Sequence, residues 1–524
     1  MKKISYSYTN TIIGIIVAVF SFVIFSLTVE PTASYWDCSE YISTSAKLQV
    51  GHPPGAPLFQ MLGAIFSTFA FESDQIAFSV NMMSVTSSAL TILFLFWSIS
   101  YLIKQQCELD EDPISINEAF KIFGSSILGC LTFTFTDSFW FNAVEAEVYA
   151  MATLILSLLF WLGLKWVDNL DSKRGDKWLI LICFVVGLSF GVHFMGLLAI
   201  PAIGLLYYFK KYSFSIKSFL LANIVSISIL LFIFKLLLPS TLSIFGYIEV
   251  FFVNEIGLPF NFGTIFSAIS MILIIYYILN RSQRKKQYLV NTITLCVTFI
   301  FIGFSSWLMI PIRSNANTVI NENAPSDARS LLAYYNLEQY PDTYLFKGPM
   351  FSDIYAGQDE DEPYRNDKPK YERDYKKNKY IIVNDWEKGK LNNNRKHIGF
   401  FPRMWSSENA VNYLKFTGFL DFSIKREFND QEQLTQIVNQ FKSNINSNDV
   451  SPDEYHQFLS SYGSYLDINK PSFFSNFKYF LLFQVNKMYF RYFLWNFAGR
   501  QNDMQWRGGT ENGNWLSGIN FIDE

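Results

Sequence analysis

For its first three hundred residues the chain alternates long apolar runs with short polar intervals, and after Pro311 that pattern stops. A run of about 20 apolar residues reads as a membrane helix, because backbone groups in lipid must be satisfied within the helix itself. Such runs lie at 11–29, 76–103, 121–136, 148–167, 178–194, 195–209, 218–238, 263–280 and 288–311. The third is short. The fifth and sixth form one apolar stretch broken at Gly191-Val192-His193 and Gly196. The pattern predicts a mainly α, polytopic helical membrane protein with about nine transmembrane helices. Residues 1–311 form the transmembrane domain, with a first outer loop at 30–75. Residues 312–524 form a mixed, mostly helical extracytoplasmic region.

Basic residues orient this layout, since Lys and Arg collect on the cytoplasmic side. With the N-terminus inside, the inner segments are MKK, KQQCELDEDPISINEAFK, DNLDSKRGDK, KKYSFSIK and RSQRKKQ, and they hold every basic cluster of the first 300 residues. The outer segments are 30–75, 137–147, the turn at His193, 239–262 and everything after 311. The apolar stretch LFQMLGAIFSTFA at 58–70 is too short to span. Were it to span, the later basic loops would change sides. It is therefore expected as a helix at the outer interface, with a second such helix over 41–50. Lys235, inside an apolar run, either snorkels to the nearby interface or meets a phosphate.

Composition agrees with this reading. Half the residues are hydrophobic and 17% are charged, against about 25% charged in a typical soluble domain. A net charge of −3 speaks against a nucleic-acid partner, which calls for a basic face. Cys38, Cys107, Cys130, Cys183 and Cys296 show no CxxC spacing, and the four histidines form no HExxH pair. Neither a disulfide framework nor a metal site follows. The N-terminal run is a full span rather than the 7–15 residues of a signal-peptide core, and is read as a retained helix. The charge run at 357–379 reads as a solvated loop. The aromatic stretch 472–497, interrupted by Lys478, Lys487 and Arg491, suits an interfacial or buried helix better than a span.

The chemistry gathers outside. EPTASYWDCSEY at 30–41 places Asp37 and Glu40 three residues apart, on one face of a helix. His52 follows in GHPPGAP. Glu145 and Glu147 lie in the second outer segment, His193 in the third, and Arg313 opens the last. Each has an ordinary alternative: a helix cap for Asp37, solvated acids for Glu145 and Glu147, turn contacts for the histidines, and a membrane anchor for Arg313. Together at one rim they are functional candidates, because ionisable groups there are costly. A carboxylate can take a proton from a hydroxyl, and an arginine can hold a phosphate through two hydrogen bonds. The set suits transfer of a group from a lipid phosphate to a hydroxyl. No ligand set demands a cofactor, though several carboxylates with waters could hold a divalent ion. A transporter or flippase of lipid-linked sugars is the alternative. It calls for polar midplane residues and repeated halves, and no repeat is visible.

SYWDCSEYISTSAKLQVGHPPGAPLFQMLG resembles the signature of the DUF2723 family, the protein O-mannosyltransferase-like membrane proteins of Bacteroidota. TFTDSFWFNAVEAEVYAM, LSFGVHFMGLLAIPAI, PIRSNANTVINENAPSD and MYFRYFLWNFAGRQNDMQ continue the resemblance along the chain. It implies a GT-C type glycosyltransferase in the inner membrane, with its active site facing the periplasm. The implied donor is a polyprenyl-phosphate-linked sugar, with mannose expected, and the implied acceptor is a Ser or Thr hydroxyl of an exported protein. A lipid or glycan acceptor is the variant. The expected reaction is one inverting displacement, with Asp37 as base and Glu40 beside it. His52, Glu145, Glu147, His193 and Arg313 are expected to bind substrate. Members of this family often continue past GRQND with further membrane helices, whereas this sequence reads GNWLSGINFIDE there. A short form or a truncated chain is expected.

Overall fold

The computed structural model describes residues 3–109, 112–172, 174–502, 504 and 511–523. The chain packs as two units: Met1–Tyr340 with Arg373–Ile381, and Pro341–Glu372 with Ile382–Glu524. The first is built from helices α1 (Tyr6–Leu27), α2 (Cys38–Lys47), α3 (Pro57–Ser67), α4 (Ile76–Gln106), α5 (Ile116–Thr134), α6 (Asp137–Ala143) and α7 (Val148–Asp168). It continues with α8 (Asp176–Ser189), α9 (Ala199–Lys211), α10 (Ile216–Leu231), α11 (Leu238–Asn254), α12 (Phe262–Arg284) and α13 (Tyr288–Phe304). Among the described residues seven helices are long and apolar enough to cross a membrane, or eight if α5 and α6, bent by 69°, count as one span. This is a helical, multi-pass membrane architecture. All nine apolar runs are helical, but α8, with 14 residues, falls below the length of a full crossing.

Sequence and structure differ beyond α10. The expected outer loop 239–262 is helical as far as Asn254, and α10 and α11 join through a π-helical stretch, Phe232–Leu237, into one apolar helix of 39 residues. Pro239 sits at the start of α11, where its missing N–H breaks no bond. Polarity alone misplaces this segment because Ser240, Thr241 and Glu249 look like loop residues. Glu249 is instead buried and receives the Asn261 and Thr264 N–H groups, which caps the start of α12. Lys235 lies exposed in the π-helical stretch, 4.6 Å from the Phe234 ring.

Contacts between loops follow the two-sided layout. Lys3–Ile4 pairs antiparallel with Ile114–Ser115, and Lys211 meets Asp171 at 2.6 Å, all between segments expected inside. On the other side Glu30 N–H bonds Val144 O, and Leu58 N–H bonds Gly191 O. Residues 312–340, polar in sequence, pack with the membrane helices. Asn321 bridges Val50, the Tyr334 hydroxyl reaches Gly51 O, and Leu331, Tyr334 and Tyr335 join the core around Trp307 and Phe190.

The α8–α13 crossing rests on two glycines. A Cβ on Gly187 would lie 2.2 Å from Ile300 O, and one on Gly303 would lie 2.3 Å from Phe184 O. Small residues allow such backbone approach between membrane helices. Gly187→Leu is expected to destabilise the protein by about 1–3 kcal/mol through overpacking against backbone that cannot yield. Thermal unfolding in detergent, with Gly124→Leu (open space at its Cβ) as the control, checks this. Equal melting temperatures for the two variants would refute it.

The second unit combines short helices with two-stranded antiparallel pairs, such as Lys347–Pro349 with Ile398–Phe400 and Leu466–Ile468 with Phe422–Ile424. Its core gathers Phe351, Tyr413, Leu414, Leu434, Tyr455 and Leu459.

Candidate functional site

Asp37 stands at the N-cap of α2, and its side chain caps nothing. Its carboxylate is 57% exposed and lies 3.6 Å from His52 Nε2. One turn on, Glu40 points the same way and is held from two directions. His52 N–H donates to Oε1 at 2.6 Å, and His52 Nδ1 lies 2.9 Å from Oε2. The opening residue of GHPPGAP explains how the chain comes so close. A Cβ at Gly51 would sit 2.6 Å from Glu40 Oε1, so a larger residue here would push the carboxylate off its His52 hydrogen bonds. His52 thus bridges Asp37 and Glu40, the two acids that helical spacing places on one face.

Electrostatics distinguishes the two ends of this bridge. Burial would raise the Glu40 pKa, but the His52 hydrogen bonds and charge outweigh it and hold Glu40 below the usual range. His52 is raised, chiefly by its hydrogen bond to Glu40 against the opposing effect of burial. The pair therefore favours carboxylate and imidazolium.

Glu145 and Glu147 join the same network from the loop before α7. Both are buried. Glu147 Oε1 receives the Asp37 N–H at 3.2 Å and faces the Cys38 thiol at 3.6 Å. The Ser34 hydroxyl donates to Glu145 at 2.5 Å and also lies 3.0 Å from Cys38 Sγ. Burial pushes both glutamates up, and for Glu147 the Asp37 charge adds to it. Burial also drives the Cys38 thiol up to about 12, so it is a weak donor here and not a nucleophile. Beside Glu145 opens a cavity of about 490 Å³, lined by Glu30, Ser34, Tyr35, Phe141 and Glu145. Its size falls within the range of small-ligand sites. The rings of Tyr35 and Phe141 are exposed.

His193 approaches from the turn after α8. Its Nδ1 accepts the Met195 N–H at 3.1 Å, and its ring lies 5.4 Å from Tyr149, two residues past Glu147. Burial lowers its pKa. An accepting Nδ1 assigns the proton of the neutral ring to Nε2, which makes His193 a neutral donor rather than a cation. Arg313 stands apart. Its guanidinium donates to Leu48 O at 2.5 Å and Lys47 O at 3.1 Å, closing the C-terminal end of α2. Asp37 is at the opposite end, about 15 Å away along a helix of ten residues. The structure brings Asp37, Glu40, His52, Glu145 and Glu147 into one connected network, places His193 beside Tyr149, and leaves Arg313 as a cap. Among the described residues no three His, Cys, Asp or Glu side chains are grouped to hold a metal.

Sequence reasoning passes over Ser34, Cys38 and Tyr41. Tyr41 is buried between His52 (5.6 Å) and Phe59 (5.2 Å). These residues carry no signal of their own. They matter because folding seats Ser34 and Cys38 between Glu145 and Glu147 and Tyr41 against His52.

Residues 37–216 match the family model described as the N-terminal domain of protein O-mannosyl-transferase TMEM260. Residues 341–481 match a second family, DUF8416, of unknown function. Among curated proteins the chain is similar to protein O-mannosyl-transferase TMEM260 of Mus musculus, 28% identical over 178 residues, covering 33% of this chain and 22% of that protein. It is also similar to protein O-mannosyl-transferase tmem260 of Dictyostelium discoideum, 24% identical over 157 residues, covering 30% of this chain and 17% of that protein. The match thus spans about a fifth of the length of these relatives. No solved structure matches the chain.

Proposed function

We propose that this protein is a membrane glycosyltransferase that moves a sugar, mannose in the first instance, from a polyprenyl-phosphate carrier to Ser or Thr hydroxyls of exported proteins. The observation that carries the proposal is the inequality among the clustered acids, within the segment that matches the O-mannosyl-transferase family model. Glu145 and Glu147 are buried and Glu40 is pinned by two hydrogen bonds, while the Asp37 carboxylate is open to an incoming group. A general base must reach its substrate hydroxyl, and Asp37 is the acid in this network with that freedom.

In this reading Asp37 takes the acceptor proton as the hydroxyl attacks the anomeric carbon. The bond from that carbon to the phosphate oxygen breaks in the same displacement, which inverts the configuration and releases polyprenyl phosphate. Glu40 and His52 fix the direction of Asp37. The cavity beside Glu145 receives substrate hydroxyls, with Tyr35 and Phe141 offering aromatic faces. The phosphate end of the donor falls to neutral donors such as His193 rather than to Arg313. The same reading sets the chain in the inner membrane with the α2 rim toward the periplasm, and extends the likeness to the wider DUF2723 proteins.

The test is transfer itself. Purified chain, synthetic polyprenyl-phosphate mannose and a Ser/Thr-rich peptide are expected to yield a peptide heavier by one hexose, detected by mass spectrometry. If no hexose reaches peptide, lipid or glycan acceptors while labelled lipid-linked sugar crosses vesicles carrying the protein, the transferase reading gives way to a flippase.

A further inference from the structure

The second unit carries a helix that its own core only half uses. From Phe473 to Trp495 the chain runs as one helix, π-helical over Phe480–Phe490. One flank is fixed inward. Asn476 Oδ1 receives the Met404 N–H at 2.8 Å, Tyr479 packs on Tyr413 at 4.7 Å, and Phe483 packs on Phe416 at 4.8 Å. The other flank exposes Phe474, Phe477, Leu481, Leu482, Tyr489 and Phe493. These recur at helical spacing and form a continuous apolar and aromatic stripe, and such a stripe marks an interaction surface.

Charge narrows the partner. Between Asp467 and Asp503 there is no acidic residue, while Lys470, Lys478, Lys487 and Arg500 fall in that interval with their side chains wholly or partly exposed, and Arg491 is buried. Exposed aromatic rings with basic flanks and no acids fit the interface of a bilayer carrying anionic headgroups. The chain already belongs in a bilayer through its membrane helices. A crossing is the poorer fit. It would place Gln484, Asn486 and Lys487 near the middle of the hydrocarbon, where polar and charged groups are costly.

We propose that the helix Phe473–Trp495 lies in the plane of a lipid interface, its Phe477–Leu481–Phe493 face in contact with acyl chains and its Asn476–Tyr479–Phe483 face on the core of the second unit. This surface anchors the polar unit to the membrane independently of the transmembrane helices.

The full chain in nanodiscs of phosphatidylethanolamine with one quarter phosphatidylglycerol tests it, since nanodiscs expose both membrane faces to water. Benzoylphenylalanine replaces Phe477, Phe493 or the core residue Phe483, one at a time, and irradiated protein is digested and weighed. A water-soluble amine reagent is applied to the same samples to read Lys487. Lipid adducts at 477 and 493 at least about tenfold above those at 483, with Lys487 still reactive, are expected. Adducts to a second protein chain, or no adducts above the level at 483, overturn the proposal. Lipid adducts with Lys487 protected also overturn it, since they describe a crossing helix. The probes at 477 and 493 enlarge rings that are already exposed, and a monodisperse elution profile establishes that those variants are folded.

Discussion

Asp37→Asn is expected to lower sugar transfer by about 10²–10⁴-fold, the usual contribution of a general base, without a measurable change in melting temperature. The substitution keeps the size of the side chain and removes its basicity. Little structure depends on the carboxylate, since its close charged neighbour is His52 Nε2 at 3.6 Å and its own helix takes no cap from it. The backbone N–H that tethers this residue to Glu147 is untouched. A folded, inactive variant would therefore isolate the chemical step. Glu40→Gln makes the contrasting case. That carboxylate accepts two hydrogen bonds, and an amide can accept on only one of its two polar atoms, so stability and activity should fall together. Rates and melting curves on the two variants separate the roles. Full activity in Asp37→Asn beside an inactive but stable Glu40→Gln would transfer the base to Glu40.

The apolar runs and the acidic pair were legible because each rests on local spacing. A run of twenty uncharged residues has few alternatives, and residues three apart share a helical face whatever the tertiary structure. His52 was legible as a candidate only by its closeness in sequence. That it bridges Asp37 and Glu40 depends on the Gly51 backbone lying against the Glu40 carboxylate. Arg313 shows where local reading stops. Its residue type suits a phosphate, but 265 residues of separation close into a contact with Leu48 O, and nothing in either segment announces that pairing. Glu249 was passed over for the converse reason. A carboxylate in an apolar helix looks like a loop residue until the start of α12 is seen donating into it. The packing of 312–340 with the membrane helices likewise depends on Tyr334 meeting Gly51 O, a contact that polarity cannot foretell.

His52→Ala is expected to cost about tenfold to hundredfold in transfer, since a base misplaced by around 1 Å loses that order of rate, and to change how the protein responds to pH. Glu40 has its pKa depressed below the reference 4.5, so its stabilising contribution is present above that value and is lost as pH falls through the folded pKa. His52 has its pKa raised above the reference 6.5, so its contribution is complete below that value and is lost as pH rises through the folded pKa. The bridge is therefore strongest between about 4.5 and about 6.5, and it weakens on the alkaline side as pH rises from there through the raised His52 pKa. Both side chains are mostly covered, 22% and 26% exposed, so losing the His52 ring is expected to cost about 1–3 kcal/mol of stability by leaving Glu40 short of a partner. Melting temperature against pH reads this directly. The wild type should lose stability as pH rises past the His52 pKa, and the Ala variant should start lower and show no such step. His52→Gln sharpens the test. Its amide can still donate to Glu40 but cannot titrate, so it should recover part of the rate while the alkaline step stays absent. An alkaline step of unchanged size in both variants would assign that titration to another group and leave His52 a steric element of the His52–Gly55 turn.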